Sequence, residues 1–180
     1  MASKCPFSSG TSSDEKATGV LFFDRTGLLY EIAQIAYVAH DVRKEVEDEH
    51  SRHQTADILQ DGNRDLIARQ LDLAHTTAVD LLNKLTKTAV TDGESRDDYL
   101  EPGDYRIILH VPEDFPKNAL THLKNLVHDY LIASALAYWL ALVLDERAQY
   151  WQARTAALEE SIKKMANRLG KARRRTLCPF

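Results

Sequence analysis

Apolar residues recur along this chain at helical spacing four times over. Leu28, Ile32, Ile35, Ala39, Val42 and Val46 follow one another at alternating intervals of four and three. That spacing puts them on one face of a helix, with Thr26 and Gly27 at its start and Glu, Lys and Asp on the opposite face. A second stripe, Ile67, Leu71, Ala74, Ala78, Leu81 and Leu85, follows Asp61-Gly62-Asn63, which offers a helix stop and an N-cap. A third helix is predicted after Phe115-Pro116, with proline in the first turn, where its missing N–H costs nothing. Its stripe runs Leu120, Leu123, Val127, Tyr130, Ser134, Ala137, Ala141 and Leu144. From Leu131 onward it is apolar all round, as expected of the most buried element.

The fourth stripe is Ala148, Trp151, Thr155, Leu158, Ile162, Met165 and Leu169, supported by the i,i+4 pairs Glu159–Lys163 and Glu160–Lys164 and ended by Gly170. It runs almost in phase with the third, with no Gly or Pro between Pro116 and Gly170. A single helix of about 53 residues would be about 80 Å long, more than one small domain can bury. A turn is therefore expected near Asp145, which can serve as an N-cap.

One segment has a different period. Tyr105 to Val111, YRIILHV, reads as a strand, and Thr86 to Thr91 is its weaker partner, so a hairpin is expected near 86–111. Residues 1–19 and 171–180 read as flexible arms around a single domain over 20–170. The expected fold is mainly α, a helical bundle of about four helices with one small β-hairpin.

Composition supports this and narrows the chemistry. The 180 residues suit one domain, and seven Gly with five Pro argue against a many-stranded architecture. The glycines at 10, 19, 27, 62, 93, 103 and 170 are too scattered for a dinucleotide-binding or P-loop signature. The net charge of −4 conceals a polarity. Nine basic residues stand against Glu159 and Glu160 between Arg147 and Arg175, and six acids against one base between Thr91 and Asp104. Such a dipole favours oriented assembly or one anionic contact. Cys5 and Cys178, each in Cys-Pro-Phe, form neither a zinc signature nor a disulfide framework, although a terminal pairing stays open. A reducing compartment is the default. No apolar stretch of signal length opens the chain, and the run Leu131–Leu144 falls short of the ~20 residues a bilayer needs. No membrane contact is expected.

Candidate chemistry is sparse. Glu47-x-x-His50, with His53 a turn on, matches half of a di-iron carboxylate bundle, but there is no second such pair. Asp61, Asn63 and Asp65 suit the first positions of a calcium loop, yet Leu66 replaces the glycine and Asp72 the final glutamate, so a helix N-terminus fits better. The acids Asp92, Glu94, Asp97, Asp98, Glu101 and Asp104 read as a solvated hairpin tip. Trp139, Tyr138, Tyr150 and Trp151 read as core or interface aromatics. No catalytic residue, metal or cofactor is expected, and the chain reads as no enzyme. Lys171, Arg173, Arg174 and Arg175 could contact phosphates without reading sequence, or simply solubilise the terminus.

The motifs YRIILHVPEDF, HDYLIASALAYWL and KARRRTL, with a Tyr/Ala-rich helix before the last, make Tyr105 to Arg175 resemble small helical proteins of tailed-phage structural gene clusters. The chain is similar to the head–tail connector (adaptor) family there and, more loosely, over 63–88. VLFFD lies outside the likeness. The resemblance implies a structural subunit in a ring, commonly twelve-fold, docked on the portal around the DNA channel in the virion neck and assembled in the host cytoplasm. It implies the portal, other neck and tail proteins and further copies of the chain as partners, with non-specific DNA contact. Arg168, Lys171, Arg173, Arg174 and Arg175 become portal or DNA-channel contacts. The alternative is a helical-bundle nucleic-acid-binding or regulatory protein that uses its basic C-terminus; a metal-dependent bundle enzyme comes third.

Overall fold

A computed structural model describes residues 16–41, 58, 61–86, 103–112, 115–143 and 145–168. In chain order these form β1 (Lys16–Asp24), α1 (Arg25–Asp41), α2 (Asp61–Leu81), α3 (Asn83–Thr86), β2 (Asp104–Pro112), α4 (Lys117–Val143) and α5 (Asp145–Arg168). The fold class is the expected one: mainly α, a helical bundle with one small antiparallel pair of strands.

The pair itself differs from expectation. β2 contains YRIILHV, but its partner is β1, in a register running from Lys16 opposite Pro112 to Asp24 opposite Asp104. Thr86 closes the short helix α3 instead, and residues 87–91 lie outside the described residues. Residues 16–19, expected in the N-terminal arm, belong to β1. The reason lies in alternation. Leu21 and Phe23 of β1 point inward with Tyr105, Ile107, Leu109 and Val111 of β2, and all six are buried. Thr86–Thr91 offers no comparable apolar face.

The junction of β1 and α1 is set by one aspartate. The Asp24 carboxylate accepts hydrogen bonds from the backbone N–H of Thr26 (3.1 Å) and of Gly27 (3.0 Å), a two-pronged N-cap. A Cβ on Gly27 would stand 2.9 Å from Asp24 Oδ2, so glycine leaves the carboxylate room to reach both donors. α1 then buries Leu28, Leu29, Ile32, Ala36 and Ala39. α2 buries Ile67, Leu71, Ala74 and Ala78 of its predicted stripe, and Leu82 and Leu85 continue that face into α3.

α4 is the centre. It packs against α1, α2, α5 and β1. Its first half buries Leu123, Val127 and Tyr130, and its second half buries Leu131, Ile132, Ala133, Ala135, Leu136, Ala137, Trp139 and Leu140. Burial stops there: Ala141, in the predicted stripe, is exposed. Among the described residues α4 alone is long and apolar enough to cross a bilayer by length and composition; its buried apolar positions belong to the bundle core. α4 ends at Val143 and α5 begins at Asp145, near the expected turn, and α5 folds back along α4. α5 buries only Ala148, Ile162 and Ala166 fully, with Trp151, Leu158 and Met165 packed at the margin of the core.

Candidate functional site

Three features stand apart from the plain core. The first is a polar cluster where β2 meets α1 and α2. Arg25, the first residue of α1, is buried, and its Nη2 lies 3.9 Å from Asp72 Oδ2. The Tyr105 hydroxyl donates to Asp72 Oδ1 at 2.6 Å. His75, one turn along α2 from Asp72, stacks on the Tyr105 ring with centroids 4.8 Å apart. One nitrogen of the His75 ring bonds the backbone of Arg106, while Nε2 is buried with no hydrogen-bond partner. The Arg106 backbone favours the charged ring, so it is the carbonyl that faces the imidazole.

Electrostatics in the cluster follow from burial. Burial pushes the Tyr105 hydroxyl well above its ordinary range, helped by its hydrogen bond to Asp72 and the Asp72 charge. Burial also lowers the His75 pKa below 6.5, against the Arg106 bond and the Asp72 charge, which favour the protonated ring. Beside the cluster lies an open cavity of about 720 Å³ whose lining includes Thr76 and Asp104. The carboxylate is engaged by phenol and guanidinium and the imidazole is stacked. The cluster therefore acts as a clasp that holds β2 on α2.

The second feature is an apolar groove of about 630 Å³ between α1 and the start of α5, lined by Ile35, Val38, Ala39, Tyr150, Trp151 and Arg147 among others. Arg147 Nη1 donates to the Ala39 carbonyl at 2.8 Å, which places a cation at the C-terminal end of α1, where the helix dipole favours it. Val38 is 64 % exposed and Tyr150 62 %. Trp151 packs edge-on against Tyr150 and carries Arg154 5.5 Å from its ring.

The third is the outer face of the ribbon. Val20 (53 %), Phe22 (43 %) and Ile108 (51 %) are exposed, and Arg106 lies 5.8 Å from the Phe22 ring.

The residues singled out from sequence fall as follows. Lys171, Arg173, Arg174 and Arg175 lie outside the described residues, as do Cys5, Cys178, Glu47, His50, His53 and the acids from Asp92 to Glu101; Arg168 ends α5, and its side chain is likewise undescribed. Asp61 to Asp72 all belong to the continuous helix α2, which leaves no calcium-type loop there. Trp139 is core, Trp151 half-buried, and Tyr138 and Tyr150 exposed. His128 of α4 sits 3.6 Å from Glu31 and 3.9 Å from Asp129 on a half-exposed face. Among the described residues no group of three or more His, Cys, Asp or Glu could hold a metal. Sequence reasoning missed the clasp, because Arg25, Asp72, His75 and Tyr105 come from three separate segments. It also missed the ribbon face, whose signal was the alternation in GVLFFD. No family model, curated protein or solved structure matches this chain.

Proposed function

We propose that this chain is a structural assembly subunit, a head–tail connector (adaptor) of tailed-phage type that forms a ring on the portal around the DNA channel in the virion neck. The observation that carries this reading is the pair of apolar surfaces that share no residue. One is the ribbon face of Val20, Phe22 and Ile108, and the other is the groove of Ile35, Val38, Tyr150 and Trp151. Single exposed apolar residues are ordinary, whereas grouped ones mark contacts. A head-to-tail contact joins two different surfaces of the same subunit and closes into a ring when the rotation allows. The charge polarity between the acidic 91–104 stretch and the basic C-terminal end supports the same oriented packing. On this reading Arg168, Lys171, Arg173, Arg174 and Arg175 face the portal or the DNA, and the chain carries out no reaction of its own.

Negative-stain microscopy and native mass measurement, on the protein alone and with the portal of its gene neighbourhood, test this. Rings are expected, and Val38→Glu should block them while leaving the bundle folded by circular dichroism. Deletion of 171–180 should abolish docking only. A protein that shifts DNA at physiological salt and never assembles on a portal would favour the nucleic-acid-binding alternative instead.

A further inference from the structure

The two outer edges of the ribbon are not alike. β2 has α3 packed against it, and His75 of α2 stacks on its Tyr105 ring. The strand also carries the cation Arg106 and ends at Pro112, both of which discourage further pairing. Along β1 the sequence from Ala17 to Phe23 has no charge and no proline, and its register to β2 runs without a bulge. Among the described residues no strand pairs with that edge.

Pro112 indicates which backbone groups β1 leaves open, since proline has no N–H to give its partner. In an antiparallel pair the N–H and C=O of one residue point to the same side. Lys16 and Pro112 therefore form a non-hydrogen-bonded pair, and by alternation so do Phe22 and Arg106. By alternation Val20 with Ile108 and Thr18 with His110 are non-hydrogen-bonded too, so Thr18, Val20 and Phe22 direct their N–H and C=O groups away from β2.

We propose that the outer edge of β1 pairs with the same edge of a second copy of this chain, antiparallel about a two-fold axis at Val20, to form the four-stranded sheet β2-β1-β1-β2. That register sets Val20 opposite Val20, Thr18 opposite Phe22 and, on the inner side, Gly19 opposite Leu21 and Ala17 opposite Phe23. Small residues meet large ones at every inner position. The strand has charges only at positions 16 and 24, a lysine and an aspartate that the two-fold brings opposite each other. The three outward-facing residues of each copy supply about six backbone hydrogen bonds, and the exposed Val20 and Phe22 of both copies join into one apolar strip.

This pairing stands apart from the connector reading, because an isologous contact joins two copies and does not by itself close a ring. Light scattering of the intact chain and disulfide trapping test it, in a Cys5→Ser, Cys178→Ser background. Val20→Cys should trap a covalent dimer on mild oxidation, since directly opposed Cα atoms lie about 5.5 Å apart, within disulfide reach. Ile108→Cys should not, because its mate lies three strand spacings away, roughly 14 Å. Val20→Lys, which keeps its side chain in solvent, should weaken the dimer about tenfold or more while the melting curve at low concentration stays unchanged. A folded protein that is monomeric at all concentrations and yields no Val20→Cys dimer overturns the proposal. Equal trapping through Ile108→Cys also overturns it, since that outcome means stacked faces. Rings without Val20→Cys trapping uphold the connector reading and defeat this one; trapped dimers that never form rings on a portal do the reverse.

Discussion

β1 and β2 have the same length and the same alternation, yet the molecule holds them differently. Every inward side chain of β2 from Tyr105 to Val111 is fully buried, whereas Ala17 and Gly19 of β1 are only half-buried. β2 is also clasped from the side, by Tyr105 to Asp72 and by His75 to the Arg106 backbone. β1 is held by β2, by the helices beneath it and by the cap that joins it to α1. A pleated strand buries nothing by itself. What lies behind each position decides its energy, and the same apolar residue is core on one side of the ribbon and free surface on the other.

The sharpest way to break this contrast is to shorten one side chain on each strand. Leu109→Ala, at a position with no exposure, should cost about 2–5 kcal/mol by urea denaturation, the usual range for a cavity under a core leucine. Val20→Ala, at a position 53 % exposed, should stay within about 0.5 kcal/mol. Equal losses would mean that the outer face is covered in the monomer. Tyr105→Phe comes next. It removes the 2.6 Å bond to Asp72 and leaves a half-buried carboxylate with Arg25 at 3.9 Å, so about 1–2 kcal/mol should be lost. The same change should leave Val20→Cys trapping intact, because the clasp acts on the other edge.

Asp24→Ala addresses the other strand and should cost about 1 kcal/mol, the usual loss for an N-cap. Asp24→Asn should restore only part of it, since its single amide oxygen can replace one of the two carboxylate oxygens that accept from Thr26 and Gly27. No recovery at all with Asn would assign the effect to charge beside the helix dipole instead of to the cap.

The helices were legible because a helix is a local object: Ile67, Leu71, Ala74 and Ala78 declare one face without reference to anything distant. The break at Asp145 was legible from length alone, since one helix of that size has nothing to pack on. The partner of β2 was not, because pairing is a long-range choice and the nearest extended segment in the chain is not the nearest in space. Gly19 and the Ser/Thr-rich stretch before it hid the alternation of β1. The clasp was illegible for a further reason: Arg25, Asp72, His75 and Tyr105 are ordinary residues where they stand in sequence, and only the packing of α1, α2 and β2 brings them together. The basic residues from Lys171 to Arg175 lie outside the described residues.

The smallest expected effect is a pH slope, and it belongs to β2. His75 faces Asp72 on its own helix, Arg25 from α1, and Asp104, Tyr105 and Arg106 from β2. Burial lowers its pKa in the folded chain, so the unfolded chain takes up the proton first as the solution is acidified. Stability is therefore complete above the ordinary value of 6.5 and declines as pH falls through 6.5 toward the lower folded value. Asp72 reduces the slope, since its charge favours the protonated ring. His75→Gln keeps a donor for the Arg106 carbonyl and removes the titration, so its urea midpoint should change less between pH 7.5 and 5.5 than that of the unaltered chain. An identical change in both would show that the acid sensitivity arises elsewhere. A steeper one in the variant would mean that the ring is stabilised by its charge, and the orphaned Nε2 would then have an acceptor in solution. This slope should vanish with His75→Gln, while Asp24→Asn, which alters only the cap at the end of β1, should leave it in place.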